Sequence, residues 1–387
     1  MRVAIIFTGV ANEFVGGAER FFADFYDIYN QQGQPKNNLF FMTNKQSLTV
    51  YTHKLNKLNF KNNILLIPNF NNRFKYKLEP FFFILKLLFN RIDILHVGSY
   101  GHQYYHLLKS TELIPKFLRP KIIVNIVDCE IPYILKDTNS PKYKGYITKY
   151  GPLFNTVKVD GVYSWYKLFK EFAESEKSIK SQPYIEVVKT RFSDTSRFIA
   201  SQHKKNEIVY AARLTEQKQP LFFLEAIKIL KASGEEDISG WNFKIYGNGP
   251  LENDVKNYIE RNGLMELVSY HSNSDLSSVF ANSKCFVSTQ DHENFPSLSM
   301  CEAMAAGNAV IARNVGQTDY FVKHQKNGFI LDNDTPASLA KAMHTYISSP
   351  QLHKPMQNES IRLTKEVHTA DNFIRDIDNF WKKVKQL

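Results

Sequence analysis

Short apolar runs alternate along most of the chain with longer segments whose apolar residues recur every three or four positions. The runs predict strands buried on both faces, and the recurring pattern predicts amphipathic helices packed against them. In the first half, strands are predicted at residues 3–7, 39–42, 64–67, 92–97 and 122–127, with a further apolar run at 161–164. Helices are predicted at 18–29, 104–113 and 166–173. Around 194–205 the chain turns polar, and a domain boundary is expected there. A second series then predicts strands at 208–211, 243–246, 267–270, 285–288, 309–312 and 328–331, with helices at 221–230, 251–260 and 298–306. This alternation is that of α/β architecture with two successive doubly wound parallel sheets. The last segment, 370–387, places Phe373, Ile374, Ile377, Phe380, Trp381 and Val384 at helical spacing. It needs an apolar surface to cover that stripe, and periodicity alone does not say on which domain.

A length of 387 residues with 43% hydrophobic residues supports two domains with a core each. The 30 Phe and 20 Tyr, beside abundant Lys and Asn, have the bias of an AT-rich genome and say little about mechanism. Charge changes the picture more. Residues 1–200 hold 28 Lys+Arg against 16 Asp+Glu, a net +12, whereas residues 201–387 hold 21 against 22, a net −1. A basic half beside a neutral one fits an anionic partner on one side. Nucleic acid, an anionic membrane surface and a merely Lys-rich soluble surface all remain open at this point. Cys129, Cys285 and Cys301 are few, odd in number and not in metal-ligand spacing, which fits a reducing compartment. No signal-peptide pattern opens the chain and no stretch approaches a membrane span, so a cytoplasmic protein is expected.

Four loops after predicted strands carry candidate chemistry. Gly16 and Gly17 lie between the first strand and first helix, where a helix N-terminus offers N–H groups to an anion; alone, the pair is equally a tight turn. Arg213 and Lys218 follow the first strand of the second half, two cations able to grip adjacent phosphates, or simply a solvated charge pair. Gly247 and Gly249, in Tyr-Gly-Asn-Gly-Pro, form a turn into a helix whose first turn accommodates Pro250. The fourth runs from Asp291 to Gly307: an acidic loop with Glu293 and Asn294 leads through Phe295, Pro296, Ser297 and Leu298 into a helix bearing Glu302. Carboxylates there can accept hydrogen bonds from sugar and ribose hydroxyls, while the helix N-terminus suits phosphate. Glu302 lies among Met300, Cys301, Ala303 and Met304, which argues against a solvated role.

At these residues the chain resembles the retaining GT-B glycosyltransferases of family four, also called glycosyltransferases group 1. The resemblance extends over most of the chain: Gly-Gly-Ala-Glu-Arg at 16–20, 192–198 before the second domain, the Arg213–Lys218 loop, Gly-Asn-Gly-Pro, Glu293 to Gly307, Gly316 and Asn-Gly-Phe at 327–329. It implies two Rossmann-like domains facing a central cleft, with an acceptor domain at 1–200, a nucleotide-sugar domain at 201–368 and a terminal helix, 369–387, packed back on the first. It also implies that Arg213 and Lys218 hold the donor diphosphate and that Glu302 is the ribose ligand. Glu293, with the backbone of 295–298, would hold the donor sugar and its phosphate, and Gly16 and Gly17 would close over the donor. No metal and no cofactor are expected, because cations and helix dipoles neutralise the leaving group.

Two departures stand out. Glu293 and Glu302 have eight residues between them where the family usually has seven; pairing by Phe295-Pro296 makes Glu293 the first acid, and strict spacing makes it Asn294. The histidine that many members place after a first-domain strand is absent from 125–130, where Asp128 is the candidate replacement. His96, His102 and His106 lie nearby, and one of them could face the cleft. The expected reaction is retaining transfer of a hexose or N-acetylhexosamine, from a UDP-sugar in preference, to a glycan or lipid-linked glycan in surface polysaccharide or glycoconjugate synthesis. The alternatives are a nucleotide-sugar epimerase and a subunit that has lost catalysis; nucleic-acid binding is disfavoured by the ordered phosphate loops. Residues 73–91 mix cations with large apolar side chains. A buried crossover helix accounts for 81–89, and peripheral contact with anionic lipid is a second expectation for the cations.

Overall fold

A computed structural model describes residues 1–8, 17–31, 37–68, 78–98, 102–127, 139, 141, 144–145, 156–175, 182–193, 195–234, 236–272 and 275–387. They form two compact units, Met1–Lys189 with Phe373–Leu387, and Thr190–Asn372. The division falls at 189–190, and Arg191, Phe192, Ser193 and Phe198 are already buried in the second unit. There Phe198 packs its ring 6.2 Å from Phe280, and the Arg191 N–H donates to His368 Nδ1 at 3.4 Å.

The first unit is built on a parallel sheet ordered β3-β2-β1-β4-β5-β6-β7. Its strands are β1 (Arg2–Ile6), β2 (Asn38–Thr43), β3 (Ile64–Leu66), β4 (Ile94–Val97), β5 (Lys121–Ile126), β6 (Gly161–Ser164) and β7 (Tyr184–Val187). The inner strands are buried along nearly their whole length because both faces are covered, and β1, β4 and β5 are rich in Val, Ile and Leu. The sequence pattern missed β7, a half-buried edge strand whose Tyr-Ile-Glu-Val lacks an apolar run. Helices α1 (Gly17–Gln31), α2 (Lys45–Thr49), α3 (Glu79–Phe89), α4 (His102–Ser110) and α5 (Lys167–Ser175) flank the sheet.

In α1, Phe21, Phe22, Phe25, Tyr26 and Tyr29 are all buried. The terminal helix (Ala370–Gln386) covers that face: Phe373 meets Phe21 and Phe25 edge-on at 5.0 and 5.4 Å, and Phe380 stacks on Tyr163 at 4.9 Å. Buried polar pairs fix its register. Tyr29 Oη and Asn37 Nδ2 both donate to Asp378 Oδ1 at 2.9 Å, and Trp381 Nε1 donates to His96 Nδ1 at 3.0 Å.

Two expectations change here. His96 faces this core, where burial lowers its pKa to about 4, so it is a neutral packing residue. His106 is exposed on α4, and the His102 side chain lies outside the described residues. Helix α3 does connect β3 to β4, but it is not a buried helix. Phe83 and Leu87 are buried, whereas Leu78, Phe81, Phe82 and Phe89 are exposed.

The second unit is a parallel sheet ordered β10-β9-β8-β11-β12-β13. The strands are β8 (Lys205–Ala211), β9 (Asn242–Tyr246), β10 (Val268–His271), β11 (Ser283–Ser288), β12 (Ala309–Ala312) and β13 (Gly328–Ile330). Its helices are α6 (Pro220–Ala232), α7 (Glu252–Arg261), α8 (Leu276–Asn282), α9 (Leu298–Ala305), α10 (Pro336–Ile347) and α11 (Pro350–Glu366). Pattern reading did not place α8, α10 or α11. Pro336 and Pro350 open their helices at first-turn positions that tolerate proline, and Thr335 caps α10 by accepting from the Ser338 N–H at 3.2 Å. The chain adds β9 and β10 on one side of β8, then returns to place β11 on the other. The strand order therefore reverses between β8 and β11, and in open α/β sheets ligands bind beyond the strand carboxyl ends at such a point.

Candidate active site

The loops leaving β8, β9, β11 and β12 gather at that reversal. The first is held by the second. Gly247 and Gly249 have φ of +138° and +153°, and a Cβ on either would lie 2.0 Å from Ala212 O and 2.4 Å from Leu214 O. Only glycine permits that approach. The Leu214 N–H donates to Asn248 O at 2.8 Å, and the Leu251 N–H donates to Leu214 O at 3.1 Å. The glycines thus brace the backbone on which Arg213 stands, exposed at the strand end.

The same loop is tied at its other end to the segment after β11. Lys218 Nζ donates to Gln290 Oε1, Thr289 Oγ1 donates to the carbonyls of Lys218 and Gln219 at 2.9 Å, and the Asp291 N–H donates to Gln217 O at 3.2 Å. Half-buried Lys218 is thereby set beside the acidic loop.

Within that loop Asn294 turns inward. Its Oδ1 accepts from Ser288 Oγ (2.7 Å) and Gln290 Nε2 (3.1 Å), and its Nδ2 donates to Arg313 O (3.0 Å) and Thr318 Oγ1 (2.7 Å). All four hydrogen-bond positions of the amide are used, so the side chain ties β11 to the loop after β12. Phe295 is likewise buried, 5.1 Å from Tyr320 and 5.2 Å from Phe321. Pro296, Ser297 and Leu298 are half-buried. Ser297 caps α9, accepting from the Met300 N–H at 3.3 Å.

Glu293 is buried against the loop after β12. Its Oε1 accepts from the Phe295 N–H at 3.0 Å and the Gln317 N–H at 2.6 Å. Gly316, at φ +51°, lies so close that a Cβ would sit 2.1 Å from Oε2. Burial raises the Glu293 pKa to about 7; the backbone donors oppose that shift and Asp319 adds to it. Glu302, in the middle of α9, is also buried and accepts from Ser193 Oγ at 3.2 Å. Gln290, Gly316 and Gln317 thus join the constellation. Of these only Gly316 was named from the sequence, as one piece of the family resemblance.

Gly16 and Asp128 lie outside the described residues, and Gly17 is described only as the first position of α1. Cys129 is likewise outside; Cys285 and Cys301 are buried thiols whose pKa values burial pushes up, as expected of core residues.

Two parallel α/β sheets, one carrying strand-end loops of this kind, define the GT-B architecture. Solved glycosyltransferases share it. Anabaena Alr3699/HepE in complex with UDP matches at a TM-score of 0.71 and 14% identity, covering 99% of this chain and 100% of that one. The glycosyltransferase from Rickettsia africae ESF-5 matches at 0.69 and 16%, covering 99% and 98%. Residues 192–362 match the family model described as Glycosyl transferases group 1. Among curated relatives, an uncharacterized glycosyltransferase of Haemophilus influenzae is 27% identical over 146 residues, 37% of this chain and 40% of that protein. The UDP-Gal:alpha-D-GlcNAc-diphosphoundecaprenol alpha-1,3-galactosyltransferase of Escherichia coli is 31% identical over 144 residues, 36% of each. The chain thus aligns with about two fifths of the length of these relatives.

Proposed function

We propose that the protein transfers a hexose or N-acetylhexosamine from a UDP-sugar to a glycan or lipid-linked glycan, with retention of configuration and without metal. The observation that carries this reading is the convergence of the 212–219, 247–251 and 289–297 loops and the start of α9 at the β8/β11 reversal. Arg213 and Lys218 supply two cations for a diphosphate, and the α9 N-terminus adds its partial positive charge. Glu302 suits the ribose hydroxyls. Glu293, protonated in part near neutral pH, can both accept from and donate to a sugar hydroxyl once the loop opens toward substrate. The leaving phosphate then takes the acceptor proton on the face it vacates, so no further base is required. The nucleotide choice draws on the UDP named with Anabaena HepE, and the lipid-linked acceptor on the diphosphoundecaprenol substrate named for the Escherichia coli relative. A peripheral position on the inner face of the plasma membrane fits such an acceptor. Among the described residues no helix is long and apolar enough to cross a membrane.

The test is nucleotide release from a panel of UDP- and GDP-sugars with EDTA present, beside thermal shift with each donor. Release from one UDP-sugar under EDTA is the expected result. Binding without release would favour the subunit that has lost catalysis, and turnover without any acceptor to an isomeric sugar nucleotide would favour an epimerase. Loss of activity in EDTA would overturn the metal-free mechanism.

A further inference from the structure

The outer face of α3 is apolar. Leu78, Phe81, Phe82, Leu85 and Phe89 recur at the spacing of one helical face, opposite the buried Phe83 and Leu87. Phe81 is 56% exposed and Phe89 81%. The patch does not stop there. Helix α4 packs beside α3, and the segment after it exposes Leu113 at 79% and Phe117 at 86%. The α3-to-β4 and α4-to-β5 connections enter adjacent parallel strands at the same edge of the sheet, which places Phe89 and Phe117 on that edge together. Toward the other end of α3, an open pocket of about 600 Å³ lies between α2, the end of β3 and α3. Lys45, Thr49, Leu66, Ile67, Phe82 and Lys86 line it.

The charges around this surface are one-sided. Of the carboxylates near it, Glu79 opens α3, while Glu112 pairs with Lys109 at 2.7 Å, Asp93 with Lys385 at 2.6 Å, and Asp160 with Lys121 at 3.2 Å. Lys45, Lys86, Arg91 and Lys116 have no carboxylate partner among the described residues. A second copy docking on this face about a two-fold axis would set these cations against one another. A surface that is apolar at its centre and anionic around it is the complement, and an anionic lipid bilayer supplies both.

We infer that the α3 face is a membrane-docking surface: α3 lies in the plane of an anionic bilayer with Phe81, Phe82 and Phe89 among the acyl chains, while Lys45, Lys86, Arg91 and Lys116 meet lipid phosphates. At 11 residues α3 is about 16 Å long, so it lies along the interface and does not span it. This deepens the reading of a lipid-linked acceptor, since it would hold the enzyme on the surface where that acceptor is embedded.

The test is co-sedimentation of the full chain with vesicles of phosphatidylcholine alone and with roughly one quarter phosphatidylglycerol, at low and high salt. Binding to the anionic vesicles at low salt, at least about tenfold weaker with neutral vesicles or at ~1 M salt, is expected. The triple change Phe81→Ser, Phe82→Ser and Phe89→Ser should lower binding at least about tenfold. The double change Lys86→Gln and Arg91→Gln should weaken it and flatten its salt dependence, independently of any effect of the serines on folding. No sedimentation with anionic vesicles at low salt, binding unchanged in both variants, or a concentration-dependent dimer abolished by the serine variant would each overturn the inference. UDP-induced thermal stabilisation, which reports on the second unit, is measured on the same samples. Vesicle binding without UDP binding would sink the transferase reading and leave the docking surface standing, and the reverse result would do the opposite.

Discussion

The carboxyl of Glu293 is caught between opposing influences: burial favours its neutral form, while the Phe295 and Gln317 N–H groups favour its anion. Burial wins, so the folded-state pKa of about 7 lies above the ordinary 4.5. A carboxyl raised in this way contributes stability that is complete below the unfolded pKa and is lost as pH rises through the folded one. Wild type is therefore expected to lose up to about 3 kcal/mol between pH 4.5 and 8 relative to Glu293→Gln, whose amide does not titrate. Melting curves of both proteins across that range check this; parallel curves would refute it. Gly249→Ala tests the bracing of the Arg213 loop. Its Cβ would strike Leu214 O at 2.4 Å from a backbone already at φ +153°, so a loss of about 3 kcal/mol is expected, together with the UDP-induced stabilisation. Melting with and without UDP reads both. The residue types of this site were legible in the sequence as glycines, cations and acids after strands. Direction was not: Asn294 and Glu293 share one loop, and only the packed fold shows Asn294 spent on Ser288, Gln290, Arg313 and Thr318.

At the scale of elements, the terminal helix is held to α1 by rings and registered by buried polar atoms. Asp378 is the acceptor for both Tyr29 and Asn37, all three being buried. Asp378→Ala strands two buried donors and should cost about 2–4 kcal/mol, whereas Asp378→Asn keeps an acceptor oxygen and should cost less. Chemical denaturation of the two variants measures the difference; equal losses would mean that packing alone sets the register. The inner strands were legible because parallel sheets bury both faces and their sequences read as unbroken apolar runs. Edge strand β7 and helices α8, α10 and α11 lack that signal or carry prolines, Pro336 and Pro350 in first turns and Pro355 inside α11, that mask a helix in the sequence. Helix α3 shows the opposite failure. Phe81, Phe82 and Phe83 read alike along the chain, yet only Phe83 is buried, because composition marks a helix as apolar without saying which face finds a partner.

For the whole molecule, charge follows the division into units. Met1–Lys189 with Phe373–Leu387 holds 30 Lys+Arg against 17 Asp+Glu, a net +13, and Thr190–Asn372 holds 19 against 21, a net −2. The second unit is continuous in sequence and encloses a core running from Ile208 to Met356. Residues 190–372 alone are therefore expected to fold cooperatively and to bind UDP, since the candidate diphosphate and ribose groups Arg213, Lys218 and Glu302 all lie within them. At UDP about 100-fold above its Kd the gain is about 2.7 kcal/mol, an upward shift of roughly 5 °C or more for a unit of this size. The near-neutral fragment should keep its melting temperature as salt is raised. The full chain should gain stability, because screening relieves repulsion within its basic unit. Calorimetry of the fragment with and without UDP, beside a salt series on both proteins, tests each part. An unfolded fragment would mean that the second unit depends on the first for its core. A folded fragment without a UDP shift would place essential donor contacts in the basic unit, and a salt-insensitive full chain would show that its positive charges lie too far apart to repel.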